Sequence, residues 1–263
     1  MPAIPPFIKP PLIEPLFIAP QWPAPVSVLA LCTTRRGGCS AAPYESFNLA
    51  HHVGDSASAV AGNRDILASA LPAGVTLSWL TQVHGTVVVE AGQGGHYPVA
   101  DAQWSRRPRA ACAVLTADCL PVLLCAASGD VVAAAHAGWR GLLAGVLEAA
   151  VAAMNTSPDQ VLAWLGPAIG PAAFEVGPEV REEFLAAASP AEKSAVAACF
   201  TPNPERASHC FGDLCALARV RLGTLGVTRV YGGGFCTYSD PERFYSYRRD
   251  GQTGRMASLI LLR

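Results

Sequence analysis

The sequence predicts an α/β fold: a single-domain layered sandwich in which mixed β-sheet packs against flanking helices. Three observations carry that expectation. Apolar residues make up 51% of the chain and charged residues 15%, a balance that suits a compact domain with a large core. Short apolar runs rich in β-branched residues recur between turn residues, the pattern of buried strands. Elsewhere the apolar spacing changes to three and four residues, the period of a helix. No repeat is visible and nothing after residue 20 reads as a linker, so one mixed, buried sheet with its helices is expected.

Taken in order, residues 1–20 read as a Pro-rich N-terminal arm and residues 21–263 as the single domain. Prolines interrupt each apolar stretch of MPAIPPFIKPPLIEPLFIAPQWPAP, and Glu14 lies in its middle, which argues against a signal peptide. VSVLALCTT (26–34) is a strand ending in the polar loop RRGGCS. VTLSWL (75–80) and TVVVE (86–90) are strands around a short polar insert. ACAVLT (111–116), PVLLCAA (121–127) and DVVAAAHA (130–137) are three closely spaced strands. From Trp139 the period turns helical through Leu142, Leu143, Val146, Leu147, Ala150, Val151 and Met154. VLAWLGP (161–167) is a strand, and GPEVREEFLAAA (177–188) and FGDLCALARVRLGTLG (211–226) are helices. TRVYGG (228–233) and ASLILLR (257–263) return to strand.

Charge and cysteine usage narrow the function classes. A formal net charge of −1 gives no electrostatic argument for nucleic acid or a membrane surface. Nowhere do ~20 unbroken apolar residues occur, the length a membrane helix needs. The nine cysteines are odd in number and none forms a CxxC pair, which removes ribbon-type zinc sites and thioredoxin-like centres. Most lie in apolar runs as small core residues, and a reducing cytoplasm is their natural setting. Oligomeric state is not fixed by any of this.

The stretch TADCLPVLLC (116–125) breaks the pattern by placing Asp118 and Cys119 together in an apolar run. Such a break is where a functional site is expected. His84 in WLTQVHGT, Cys119 between two strands, and His136 at the close of VVAAAHA all stand where a strand hands over to a loop. Two imidazoles and one thiolate give zinc three protein ligands and an open position, the catalytic pattern. The other reading is a core cysteine and two ordinary histidines, and the spacing alone does not choose. Asp118 either orients a histidine or a substrate hydroxyl, or caps the turn. Arg35 and Arg36 precede Gly37 and Gly38, a plausible anion cradle or a tight turn with two exposed charges. His51 and His52 read as loop histidines. YSYRRDGQTGR (245–255) is either a basic anion-binding loop or an internal salt-bridge cluster around Asp250, and the neutral balance of the chain favours the latter.

TTRRGGCSAAPYESFNLAHHVGD, WLTQVHG, TADCLPVLLC, AAHAGWRGLLAGVL, WLGPAIGPAAFEVGPEV and FYSYRRDGQTGRMA occur in this order. Together they resemble the family once called multicopper polyphenol oxidase or laccase-domain proteins, now described as zinc-dependent purine nucleoside phosphorylases with adenosine deaminase activity. The resemblance runs from about residue 20 to the C-terminus. It implies metal ligation by His84, Cys119 and His136, the same residues being catalytic. It implies purine nucleosides and phosphate as partners and favours Arg35 for phosphate, with Arg36 facing solvent. Asn48 in SFNLA and Gln82 in TQVHG then become candidates to read a purine edge or a ribose hydroxyl, or else to cap backbone. Cys39, Gly234 and Phe235 depart from the family pattern, the last two in GGGFCTY, where a pocket wall or merely a loop would change.

The older laccase label conflicts with the histidine count. A blue-copper multicopper oxidase needs many histidines, commonly in His-x-His pairs. Six are present, and none is so paired, so zinc is expected and copper is not. The competing functional class is a Cys-His hydrolase or amidase with Cys119 as nucleophile and His136 or His84 as its base. A third is a noncatalytic binding protein, which gives no reason for the three-ligand set.

Overall fold

The computed structural model describes residues 16–93 and 97–263. Two mixed sheets stack face to face. The first runs in the order β1 (Phe17–Ile18), β2 (Val28–Thr33), β14 (Met256–Leu262), β6 (Ala110–Thr116), β3 (Thr76–Ser78). The second runs β13 (Arg229–Gly232), β9 (Val161–Leu165), β7 (Leu120–Ala126), β8 (Val132–Ala137), β5 (Ala102–Ser105), β4 (Val88–Glu90). A small third sheet holds β10 (Glu175–Val176), β12 (Cys210–Gly212) and β11 (Phe200–Pro202). The single mixed sheet expected from sequence is thus two stacked ones. Near-continuous apolar strands signal burial on both faces, but not which sheet a strand joins.

Alternation along each strand sorts its side chains between two cores. Val28, Ala30 and Cys32 of β2 and Cys112 and Val114 of β6 face Leu123 and Cys125 of β7 and Ala134 of β8 across the gap between the sheets. Leu29, Leu31, Leu115 and Leu259 point the other way, onto α1 (Ala57–Ala70) through Leu67 and Ala70. On the far side of the second sheet, Leu120, Val122 and Leu124 meet α2 (Trp139–Ala144), α3 (Val146–Ala153), α4 (Pro178–Ala187), α5 (Lys193–Ala198) and α6 (Leu214–Thr224). The result is four layers: helix, sheet, sheet, helices. Cys32 and Cys125 lie inside and burial pushes both thiols up to about 12, the behaviour of inert core residues.

Several elements differ from the sequence expectation. The helix from Trp139 to Met154 is two helices, because Gly145 adopts φ +102° and ends the first turn set. Helix α1 has no strong apolar stripe: its buried face is Val60, Asn63, Leu67 and Ala70, which is why the hydrophobic period does not reveal it. Residues 211–226 begin as a strand, with Asp213 capping α6 through the N–H of Ala216. Leu16 and Phe17 are buried, and β1 pairs antiparallel with β2. The rest of the proposed arm, residues 1–15, lies outside the described residues.

Candidate metal centre and its cavity

The chain crosses from the first sheet to the second at two neighbouring places. One is the segment from β3 to β4, which carries His84. The other is the turn from β6 to β7, which carries Cys119. His136 stands on β8 of the second sheet, next to β7. The three sequence candidates therefore meet at one mouth of the sandwich. Their ligand atoms all lie within 4.8 Å of one another, Cys119 Sγ is 3.6 Å from His84 Nε2, and the two imidazole centroids are 4.8 Å apart. Gly138 makes room for this: a Cβ there would stand 2.7 Å from His84 Cδ2 and 2.9 Å from Cys119 Sγ.

A residue the sequence reading missed organises the group. Asp101 is fully buried, one residue before β5, and accepts hydrogen bonds from the N–H groups of Val83 (3.2 Å), His84 (2.9 Å) and Gly85 (2.7 Å). Its Oδ1 is also 2.8 Å from His136 Nδ1. One carboxylate thus holds the loop that presents His84, where His84 itself has φ +62°, and turns Nε2 of His136 toward the thiol. This is the arrangement that fixes the tautomer of a ligating histidine. The only local signal was an acid standing before a strand, too common to single out.

The electrostatics of the donor set suit a cation. Burial alone raises the Cys119 thiol, but the charge and hydrogen bonds of His136 and His84 outweigh it and bring it down to about 6. Burial alone lowers His136, but Cys119 and Asp101 outweigh it and raise it to about 9. A thiolate beside an imidazolium results, and a divalent metal can take the place of that proton. Two imidazoles and a thiolate match the borderline-soft preference of zinc.

The donors open into a cavity of about 430 Å³, bounded among others by His52, Ile169, Phe174, Tyr247, Arg248 and Arg255. The basic loop residues reach the site after all. Arg249 and Asp250 form the internal ion pair expected there, but their neighbours Arg248 and Arg255 line the cavity. The helical turn α7 (Tyr247–Asp250) aims Arg248.

Arg35 is not brought to this cavity. Its guanidinium donates to the carbonyls of Glu45 (3.0 Å) and Pro241 (3.1 Å) and lies 4.8 Å over the Tyr245 ring. Its glycine loop is no anion cradle either, because the N–H groups of Gly38 and Cys39 already donate to Ser46 Oγ and Asn63 Oδ1. Arg36 pairs with Glu242 at the surface. Asn48 is buried and fully occupied: it donates to Ala50 O and to the Asp55 carboxylate and accepts from the N–H groups of Ala50 and Arg255. Gln82 lines the cavity, yet its amide clasps Leu115 of β6 through both N–H and C=O, each at 2.8 Å. Both amides bond backbone, Asn48 away from the cavity and Gln82 at its wall. Phe235 packs beside Phe244 under Arg243, in a loop and not in the cavity wall. Pro121 is an interior residue of β7, opposite His136. Its carbonyl points to the N–H of Gly166, past the end of β9, so the missing amide on that side breaks no ladder bond.

Fold and site together define a class: layered α/β proteins with a His-Cys-His group that could bind a metal at the mouth between two sheets. The chain belongs to the multi-copper polyphenol oxidoreductase laccase family, whose model matches residues 29–263. It is 55% identical over 241 residues to a purine nucleoside phosphorylase of Pseudomonas aeruginosa, covering 92% of this chain and 96% of that one. It is 49% identical over 243 residues to purine nucleoside phosphorylase YfiH of Escherichia coli, covering 92% and 97%. Among solved structures, a Neisseria meningitidis protein superposes with a TM-score of 0.88 at 48% identity, covering 94% of this chain and 98% of that one. YlmD of Geobacillus stearothermophilus gives 0.83 at 29% identity, covering 95% and 97%.

Proposed function

We propose that this protein is a zinc-dependent purine nucleoside phosphorylase with adenosine deaminase activity. The observation that carries this reading is the convergence of His84, Cys119 and His136 on a cavity that also presents Arg248 and Arg255. The names of the relatives at 55% and 49% identity support the substrate class. When bound at those three residues, zinc supplies a Lewis acid with an open coordination position.

The chain's own residues supply the rest. Phosphorolysis forms a bond from phosphate oxygen to C1′ of the ribose and breaks the bond from C1′ to the purine. Arg248 and Arg255 hold the phosphate and neutralise its charge, and fixing it beside the sugar supplies much of the acceleration. Phe174, Ile169 and Tyr247 give the flat purine apolar walls. Arg255 is half-buried, and a guanidinium partly withdrawn from water is less screened from an anion beside it. Asp101 holds His136 with Nδ1 bonded, so that Nε2 faces the metal position. The phosphate-holding role first given to Arg35 thus falls to Arg248 and Arg255.

A second reading has one observation behind it. The lowered Cys119 thiol beside a raised His136 is also the signature of a nucleophilic cysteine. Product analysis separates the two. Metal-assayed protein given adenosine and inosine yields ribose 1-phosphate only when phosphate is present, and loses that activity on chelation or in Cys119→Ala. Free ribose indicates hydrolysis, turnover that survives chelation indicates the nucleophile, and no turnover by zinc-loaded protein sinks the proposal.

A further inference from the structure

Asp118 stands in the turn between β6 and β7, next to Cys119, at φ +95°. That left-handed region is disfavoured for most side chains but open to Asp, Asn and Gly. Its carboxylate is buried. It accepts from Thr237 Oγ1 at 2.6 Å, from Ser246 Oγ at 3.0 Å and from the N–H of Arg248 at 2.7 Å. All three donors lie more than a hundred residues further along the chain.

The segment holding those donors is braced from within. The Arg249 guanidinium donates to the carbonyls of Thr237, Tyr238 and Phe244 and to the carboxylate of Asp250. Residues 237–250 therefore behave as one body, and what is left to fix is where that body sits. Two of its ties, Thr237 N–H to Ala168 O and Arg248 Nη1 to Glu175 O, reach the segment 168–175. Among the described residues, the Asp118 side chain is the direct hydrogen-bonded tie between that body and the turn carrying Cys119; an indirect one runs through the segment 168–175, where the N–H of Ile169 donates to Asp118 O.

We propose that Asp118 is a positioning residue that couples the anion-holding arginine to the metal-ligand turn, setting Arg248 at a fixed place relative to Cys119. Its effect on phosphate rests on the phosphorolysis reading; the coupling itself does not. Three charge-assisted bonds to one carboxylate hold a backbone more firmly than neutral partners would. A misplaced cation costs the anion its binding energy while leaving the nucleoside walls in place.

Asp118→Gly and Asp118→Asn test this, since both residues accept the backbone angle. In Asp118→Gly the phosphate KM rises about tenfold or more while the nucleoside KM and bound zinc change less than about twofold. Asp118→Asn, which keeps one acceptor oxygen, falls between that variant and the parent. Amide exchange in the peptide 244–252 is faster in Asp118→Gly. Equal rises in both KM values, or loss of zinc, assign Asp118 a merely structural role and overturn the proposal. Should the parent show no phosphate-dependent turnover, the phosphorolysis reading fails on its own. The coupling then stands or falls on amide exchange: faster exchange over 244–252 upholds it and unchanged exchange overturns it.

Discussion

Asp101 and Gly138 are the residues through which the ligand group is assembled, and neither is itself a ligand. Asp101→Asn keeps the shape but gives up the charge that holds His136 and three loop amides. It is expected to weaken zinc binding about 10–100-fold, the usual cost of removing a partner of a ligating histidine, as read by competition with a chromophoric chelator. Gly138→Ala places a methyl group against His84 and Cys119 and is expected to lower zinc content with little change in secondary structure by circular dichroism. The thiol offers a pH test in metal-free protein. Cys119 is pulled down to about 6, so its alkylation by iodoacetamide should rise as pH rises through that value. Cys32 and Cys125, held at about 12, should stay unreactive throughout. Zinc should abolish the Cys119 reaction at every pH where it binds. A Cys119 profile centred instead near an ordinary thiol pKa would remove the imidazolium partner from the account.

At the scale of elements, the basic loop around α7 lines the cavity and the glycine loop after β2 does not, an exchange of the places their sequences suggest. Arg35→Ala removes two bonds to carbonyls and a contact on Tyr245. It should cost about 1–2 kcal/mol of stability and leave the phosphate KM unchanged. Arg248→Ala and Arg255→Ala should raise that KM steeply, at a comparable cost in stability, since their guanidiniums also donate to carbonyls (Glu175 for Arg248, Thr253 and Gly254 for Arg255). Urea titration and steady-state kinetics on the three variants check both halves. The exchange shows what was legible. Strands β2, β6, β7, β8, β9, β13 and β14 could be read because buried strands are short, β-branched and bounded by turns. The candidate ligands His84, Cys119 and His136 could be found because each ends or interrupts such a run. Which arginine reaches the cavity could not be read, because it depends on Asp118 accepting from a segment far along the chain. Strand β5 and helix α1 were hidden for a local reason: AQWS and ASAVAGNRDILASA carry too few large apolar residues to set a period.

At the scale of the whole molecule, the proposed metal position sits where the chain crosses between the two sheets. Between the sheets the contact is mostly apolar packing, with Val114 and Ile260 on one side and Leu123 and Ala134 on the other, bridged by the Gln103 amide, which donates to the carbonyls of Ser78 and Ala113. His84 and Cys119 lie on the two crossings, and His136 belongs to the second sheet. A cation held by all three therefore ties both crossings to β8 at the open mouth of the sandwich. Since the ligand group exists only in the folded chain, zinc bound there adds its binding free energy to folding, about 4 kcal/mol at a thousandfold excess over Kd. Calorimetry should show a melting temperature that rises with free zinc and falls on chelation. The rise should shrink as pH falls, because His84 and His136 must be neutral and Cys119 ionised to bind. Cys119→Ala should lose most of the zinc-dependent increment while keeping the melting temperature of the chelated parent to within a few degrees. Leu123→Ala, which opens a cavity between the sheets, should lower the melting temperature in both states by a similar amount, at a cost of roughly 2–5 kcal/mol. If instead zinc shifted the melting of Cys119→Ala as far as it shifts the parent, the ion would be bound elsewhere, and the mouth of the sandwich would be held by packing and the Asp101 hydrogen bonds.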